Sequence, residues 1–174
     1  MPEVNDVESE LQSNAVTRRS WLATVTRTLA AALVTNATIS TLAEAAGPTL
    51  TKLTVYKDPS CGCCTKWVAH LRANGFAPDV HDRTDVTALK DSLGVPAALR
   101  SCHTAVIGKY VIEGHVPSAD IKRLLAARPA GIMGLAVPDM PSGSPGMEMG
   151  GRADRYDVMA FGVKGATRVF ATHG

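Results

Sequence analysis

Three cysteines fall within four residues, Cys61, Cys63 and Cys64, where a strand pattern gives way to a helix pattern. Upstream, Leu50 to Lys57 (L-T-K-L-T-V-Y-K) alternates apolar and polar residues with the period of two expected of a strand. Asp58-Pro59-Ser60 breaks that alternation. From Cys64 onward, Trp67, Val68 and Leu71 recur at helical spacing until Asn74-Gly75 supplies a stop. The cysteines therefore occupy a strand-to-helix turn. Thiolates at such a place gain from unpaired backbone N–H groups and the positive end of the helix dipole, which lower thiol pKa. The fourth cysteine, Cys102, stands alone, 38 positions beyond Cys64.

The rest of the pattern says where Cys102 must go. Asp79 to Arg83 reads as a second strand, and Asp85 to Leu93 as a second helix with Thr84 as its N-cap and Gly94 as its end. Thr104 to Ile107 and Tyr110 to Ile112 flank Gly108-Lys109 as a hairpin. Pro117 opens a third helix that runs to about Ala127. The order βαβαββα, a βαβ unit followed by a hairpin and a helix, is the layout of a thioredoxin-like α/β domain, expected over residues 47–129. The right-handed crossover makes the first two strands parallel neighbours. If the hairpin strand that starts near Cys102 runs antiparallel to the first strand, Cys102-His103-Thr104 begins at the edge where Cys61 lies. The next strand ends at that edge too, with Glu113-Gly114-His115. Sequence order thus gathers four thiols and the imidazoles of His103 and His115 in one corner.

Both ends of the chain differ from this middle. Residues 130–174 form an expected extension packed on the domain: 130–155 is rich in Gly, Pro, Ser and Met without strand or helix period, and Tyr156 to Phe161 and Thr167 to Thr172 read as a closing β-hairpin. Residues 1–46 read as an export signal. Thr17-Arg18-Arg19-Ser20-Trp21-Leu22 has the paired arginines of a twin-arginine (Tat) signal, a Sec signal being the alternative. The uncharged stretch 28–43 follows, then the small residues of Ala43-Glu44-Ala45 for a signal peptidase. Its 16 residues fall short of the roughly 20 that span a bilayer, so no stable membrane insertion is expected after cleavage. The remainder carries 15 Lys and Arg against 11 Asp and Glu with no polybasic block, which argues against a nucleic-acid partner.

Export places the cysteines in an oxidising compartment, the periplasm. Purely structural disulfides fit poorly there, because a Cys61–Cys64 bridge closes almost no loop and stabilisation in the entropic account grows with loop length. Structural zinc suits four thiolates, yet zinc modules draw two ligands from each of two knuckles rather than three from one turn. Closely packed thiolates that can bridge metals suit a soft monovalent ion such as Cu(I). Met133, Met140, Met147 and Met149 fall within 17 residues of the extension, and their thioethers are soft ligands too. Of these, Met147 and Met149, in Gly146-Met147-Glu148-Met149-Gly150, are the candidate ligands beside His103 and His115. His70 and His81 read as ordinary surface or core histidines, and His173 as uninformative.

With Tyr56 to Cys64 (Y-K-D-P-S-C-G-C-C), Cys102-His103-Thr104 and Val111 to Pro117 (V-I-E-G-H-V-P) in view, the chain resembles the CopG-like family. These are periplasmic, thioredoxin-like metal-binding proteins often encoded with copper-resistance systems and long carried as a domain of unknown function. Gly134 to Pro138, Met140-Pro141, Gly143 to Glu148 and Tyr156-Asp157-Val158 extend the likeness, which covers about residues 50–172. The resemblance implies copper, as one ion or a multinuclear cluster, held by Cys61, Cys63, Cys64 and Cys102. The expected function is therefore Cu(I) binding in copper resistance, by storage, transfer or redox handling, with other periplasmic copper-handling proteins as partners. Two alternatives stay open. One is a thiol–disulfide oxidoreductase with Cys61 as nucleophile and Cys64 as resolving thiol; the other is a zinc-stabilised interaction module.

Overall fold

The first strand, β1 (Thr51–Lys57), turns Leu53, Val55 and Lys57 inward, as its alternation requires. Helix α1 (Gly62–Ala73) follows, with Cys64, Trp67, Val68 and Leu71 on its buried face. It leads into β2 (Phe76–Asp82), which pairs parallel to β1 from Thr51 opposite Phe76 to Lys57 opposite Asp82. These elements belong to a computed structural model that describes residues 49–148 and 150–174; the signal expected over 1–46 and Met149 lie outside the described residues.

Helix α2 (Thr87–Ser92) and a 3-10 turn (Ala97–Leu99) lead to the antiparallel hairpin β3 (His103–Ile107) and β4 (Tyr110–Glu113), then helix α3 (Ser118–Ala127). Strand β5 (Ile132–Ala136) pairs parallel to β4, and β6 (Tyr156–Gly162) and β7 (Thr167–His173) add on antiparallel. The fold is mixed α/β around one seven-stranded sheet in the order β2-β1-β3-β4-β5-β6-β7.

Side-chain alternation divides the core. Ile112 packs with Trp67, Leu71, Ile121 and Leu124, so α1 and α3 cover one face. Its neighbour Val111 points the other way, to Val95, Leu99 and Phe161. Among the described residues, no helix is long and apolar enough to cross a membrane.

Three sequence readings need correction. The second strand begins at Phe76, three residues before the expected Asp79. Phe76 is a buried anchor, and Pro78 is tolerated because β2 is an edge strand. Thr84 does not cap the second helix: Val86 holds the cap position without a side-chain bond, and the Asp85 carboxylate accepts the Thr87 N–H at 2.7 Å. Finally, β5 lies inside the stretch that showed no strand period. Gly134 masks it, for a Cβ there would meet the Val111 carbonyl oxygen at 2.1 Å and the Phe161 ring at 2.5 Å. The strand is built around a missing side chain.

Leu71 is fully buried and remote from the cysteine turn along α1. Leu71→Ala is expected to destabilise the fold by about 2–5 kcal/mol, read from urea unfolding at unchanged m-value.

Candidate metal centre

Antiparallel pairing of β1 with β3 ends at Lys57 opposite His103, so Cys102 lies just past the end of β1, beside the turn that starts α1. Cys61 caps α1 there, its Sγ accepting the Cys64 N–H at 3.3 Å. Cys61 and Cys64 are joined in a disulfide, while Cys63 and Cys102 are free thiols. Each free sulfur rests against one half of that bond: Cys63 Sγ is 3.5 Å from Cys61 Sγ, and Cys102 Sγ is 3.4 Å from Cys64 Sγ. All four sulfurs lie within 4.8 Å of one another.

Two imidazoles complete the corner. Cys102 Sγ is 3.3 Å from His103 Nδ1 and 3.2 Å from His115 Nε2, and these three atoms form a second set within 4.8 Å. Both rings are buried, and desolvation holds each below the usual imidazole range, His103 well below it. They are therefore neutral near pH 7, each with one nitrogen lone pair to offer. For His115 the tautomer follows from its partner. Nδ1 lies 2.8 Å from the Pro145 carbonyl, which can only accept, so Nδ1 carries the proton and the bare Nε2 faces Cys102. His103 Nε2 is buried with no hydrogen-bond partner among the described residues. Its ring packs on Trp67 at 4.3 Å between centroids. Burial, reinforced by Cys63, pushes the Cys102 thiol up to about 12. Burial thus keeps Cys102 protonated at neutral pH.

The segment 141–148 straps this corner. Gly146 sits on the start of α1, where an added Cβ would meet the Cys63 carbonyl oxygen at 2.7 Å and the Trp67 nitrogen at 2.8 Å. Its φ of +89° also lies in the region that favours glycine. Met147 follows, half-buried, with its N–H donating to the Ser144 carbonyl at 2.8 Å. The histidines outside the corner have structural partners. His70 is half-buried rather than a plain surface residue and accepts the Ser118 N–H at 3.2 Å, at the start of α3. His81 lies exposed beside Asp79 at 3.0 Å. His173, at the end of β7, reaches the Asp120 carboxylate at 2.6 Å.

Sequence reasoning missed two further groups. One is the Pro145 carbonyl, a backbone acceptor that leaves no side-chain trace. The other is the buried pair Lys90 and Glu113, behind Cys102. Lys90 falls at helical spacing from Val86 and Leu93, the one sequence signal for an inward-facing side chain.

A family model described as "Protein of unknown function, DUF411" matches residues 99–147, the span that carries Cys102, His103, His115 and the strap. A solved structure of "Copper resistance protein copG", Form 1, is 47% identical over 71% of this chain and 98% of its own, with a TM-score of 0.67. The chain belongs to the CopG copper-resistance family. Form 2 of CopG gives 46% identity over 72% of this chain and 99% of its own, with a TM-score of 0.68. No curated protein matches the chain. The CopG match spans nearly the whole length of those structures.

Gly146→Ala tests the strap. The substitution forces a side chain against backbone atoms at positive φ, where the φ penalty alone is roughly 1–2 kcal/mol. The expected outcome is faster amide exchange at Met147 and faster alkylation of Cys63, with the β1–β3 amides unaffected.

Proposed function

We propose that this chain is a periplasmic copper-binding protein of copper resistance, holding Cu(I) on the thiolates of Cys61, Cys63, Cys64 and Cys102. The observation that carries this reading is the gathering of all four sulfurs within 4.8 Å, with two neutral imidazoles against Cys102. Such a donor set is soft, and bridging thiolates can serve more than one monovalent copper. Names given to the matching structures, copper resistance protein CopG, support the same metal.

Loading starts from the reduced chain. A dithiol reductant opens the Cys61–Cys64 bond by two thiol–disulfide exchanges, leaving its own disulfide and two free thiols here, and each thiol that takes up the cation then releases its proton. A bound cation opposes the penalty on Cys102, since an adjacent positive charge favours the thiolate. His115 and His103 supply nitrogen ligands without losing a proton. Met147 and Met149 supply thioethers as further soft ligands, and other periplasmic copper-handling proteins deliver or receive the ion. Residues 1–46 direct export through a twin-arginine-type signal and are then removed. The parallel β1–β2 pair and the order β2-β1-β3-β4 support a thioredoxin-like core over 47–129, which residues 130–174 extend.

The Cys61–Cys64 disulfide at the start of α1 favours a second reading, a thiol–disulfide oxidoreductase. Anaerobic titration of the reduced protein with Cu(I) against bathocuproine disulfonate separates the two. Tight copper uptake that falls at least tenfold in Cys63→Ser and in Cys102→Ser supports copper binding. Disulfide reductase activity that survives both substitutions, with no competition against the chelator, supports the oxidoreductase. Oxidation to the Cys61–Cys64 disulfide is expected to weaken Cu(I) binding at least a hundredfold.

A further inference from the structure

Behind Cys102 lies an ion pair that the sulfur chemistry does not use. Lys90, on α2, and Glu113, at the end of β4, pair in the interior with side chains 5% and 0% exposed. All three ammonium protons of Lys90 are committed: to Glu113, to the Thr104 hydroxyl at 2.9 Å, and to the Ser101 carbonyl at 3.1 Å. The Glu113 carboxylate accepts in turn from the Ser101 N–H at 2.7 Å and from the Thr104 hydroxyl at 2.6 Å. Ser101 and Thr104 bracket Cys102 and His103. Glu113 is two residues from His115, and Gly114 between them is packed so closely on Ser101 that a Cβ would come within 2.6 Å.

A buried ion pair is a poor device for stability, because desolvation of both charges offsets most of their attraction. Its geometry here has another use. Two charged groups with every bond satisfied hold the turn 101–104 and the end of β4 in one relative position. Cys102 is thereby set between Cys64 Sγ and His115 Nε2. We propose that Lys90 and Glu113 are positioning residues, a charged clamp that fixes the Cys102 sulfur within the cluster. The clamp deepens the copper-site reading and rests on it for its purpose, although the positioning itself can be read without metal.

The test is the rate of iodoacetamide labelling at Cys102 relative to Cys63, resolved by mass spectrometry on the reduced, metal-free full chain. Lys90→Met combined with Glu113→Leu replaces the pair with apolar side chains of similar length. Thr104→Val removes the hydroxyl that links the pair and barely changes volume. With the clamp gone, Cys102 is expected to swing toward solvent. The Cys102/Cys63 labelling ratio should then rise at least tenfold in the double variant and about threefold in Thr104→Val, at melting temperatures close to the parent. Cu(I) affinity against bathocuproine disulfonate should fall in parallel. A folded double variant with an unchanged ratio overturns the proposal; if the double variant does not fold, Thr104→Val decides by the same measure. Should the parent chain take up no Cu(I), the copper reading fails, while the labelling ratio still decides whether the clamp positions Cys102.

Discussion

The register of β1 against β3 is the constraint on which the rest of the molecule's chemistry depends. Lys57 opposite His103 places the last residue of one strand beside the first residue of the other, so the turn after β1 and the residue before β3 share one edge of the sheet. A slip of one residue would turn every β3 side chain to the opposite face and carry His103 away from Trp67. The packing of Ala105 and Ile107 in the core with Val55 and Trp67 opposes that slip, since it would take both side chains out of that cluster. Core burial and site assembly are the same event here.

Much of this was legible in the sequence because it rests on side-chain period. The alternation in 50–57 corresponds to β1, the spacing of Trp67, Val68 and Leu71 to α1, and the Gly108-Lys109 turn to the β3–β4 hairpin. Once those elements are antiparallel neighbours, the nearness of Cys102 to the cysteine turn follows from chain order alone.

What the sequence hid lies where a side chain is missing or belies its surroundings. Strand β5 depends on Gly134, whose contribution is an absence. Nothing in the residue types of Lys90 and Glu113 marks them as buried, because only a three-dimensional partner justifies burying either. The His115 tautomer depends on a proline carbonyl 30 residues later, and backbone groups carry no residue signature. A bond between Cys61 and Cys64 closes too short a loop to stabilise much, which says little about whether it forms.

Trp67 has its own consequence. The indole is fully buried, donates to the Val116 carbonyl at 2.9 Å, and lies on the His103 ring. It is one of two tryptophans in the chain, the other being Trp21 in the expected signal. A mature chain would thus carry a single tryptophan, its ring tilted against the histidine that touches Cys102. Any event at the sulfurs that shifts or charges that histidine is written into the emission of one residue, so the protein contains its own optical gauge.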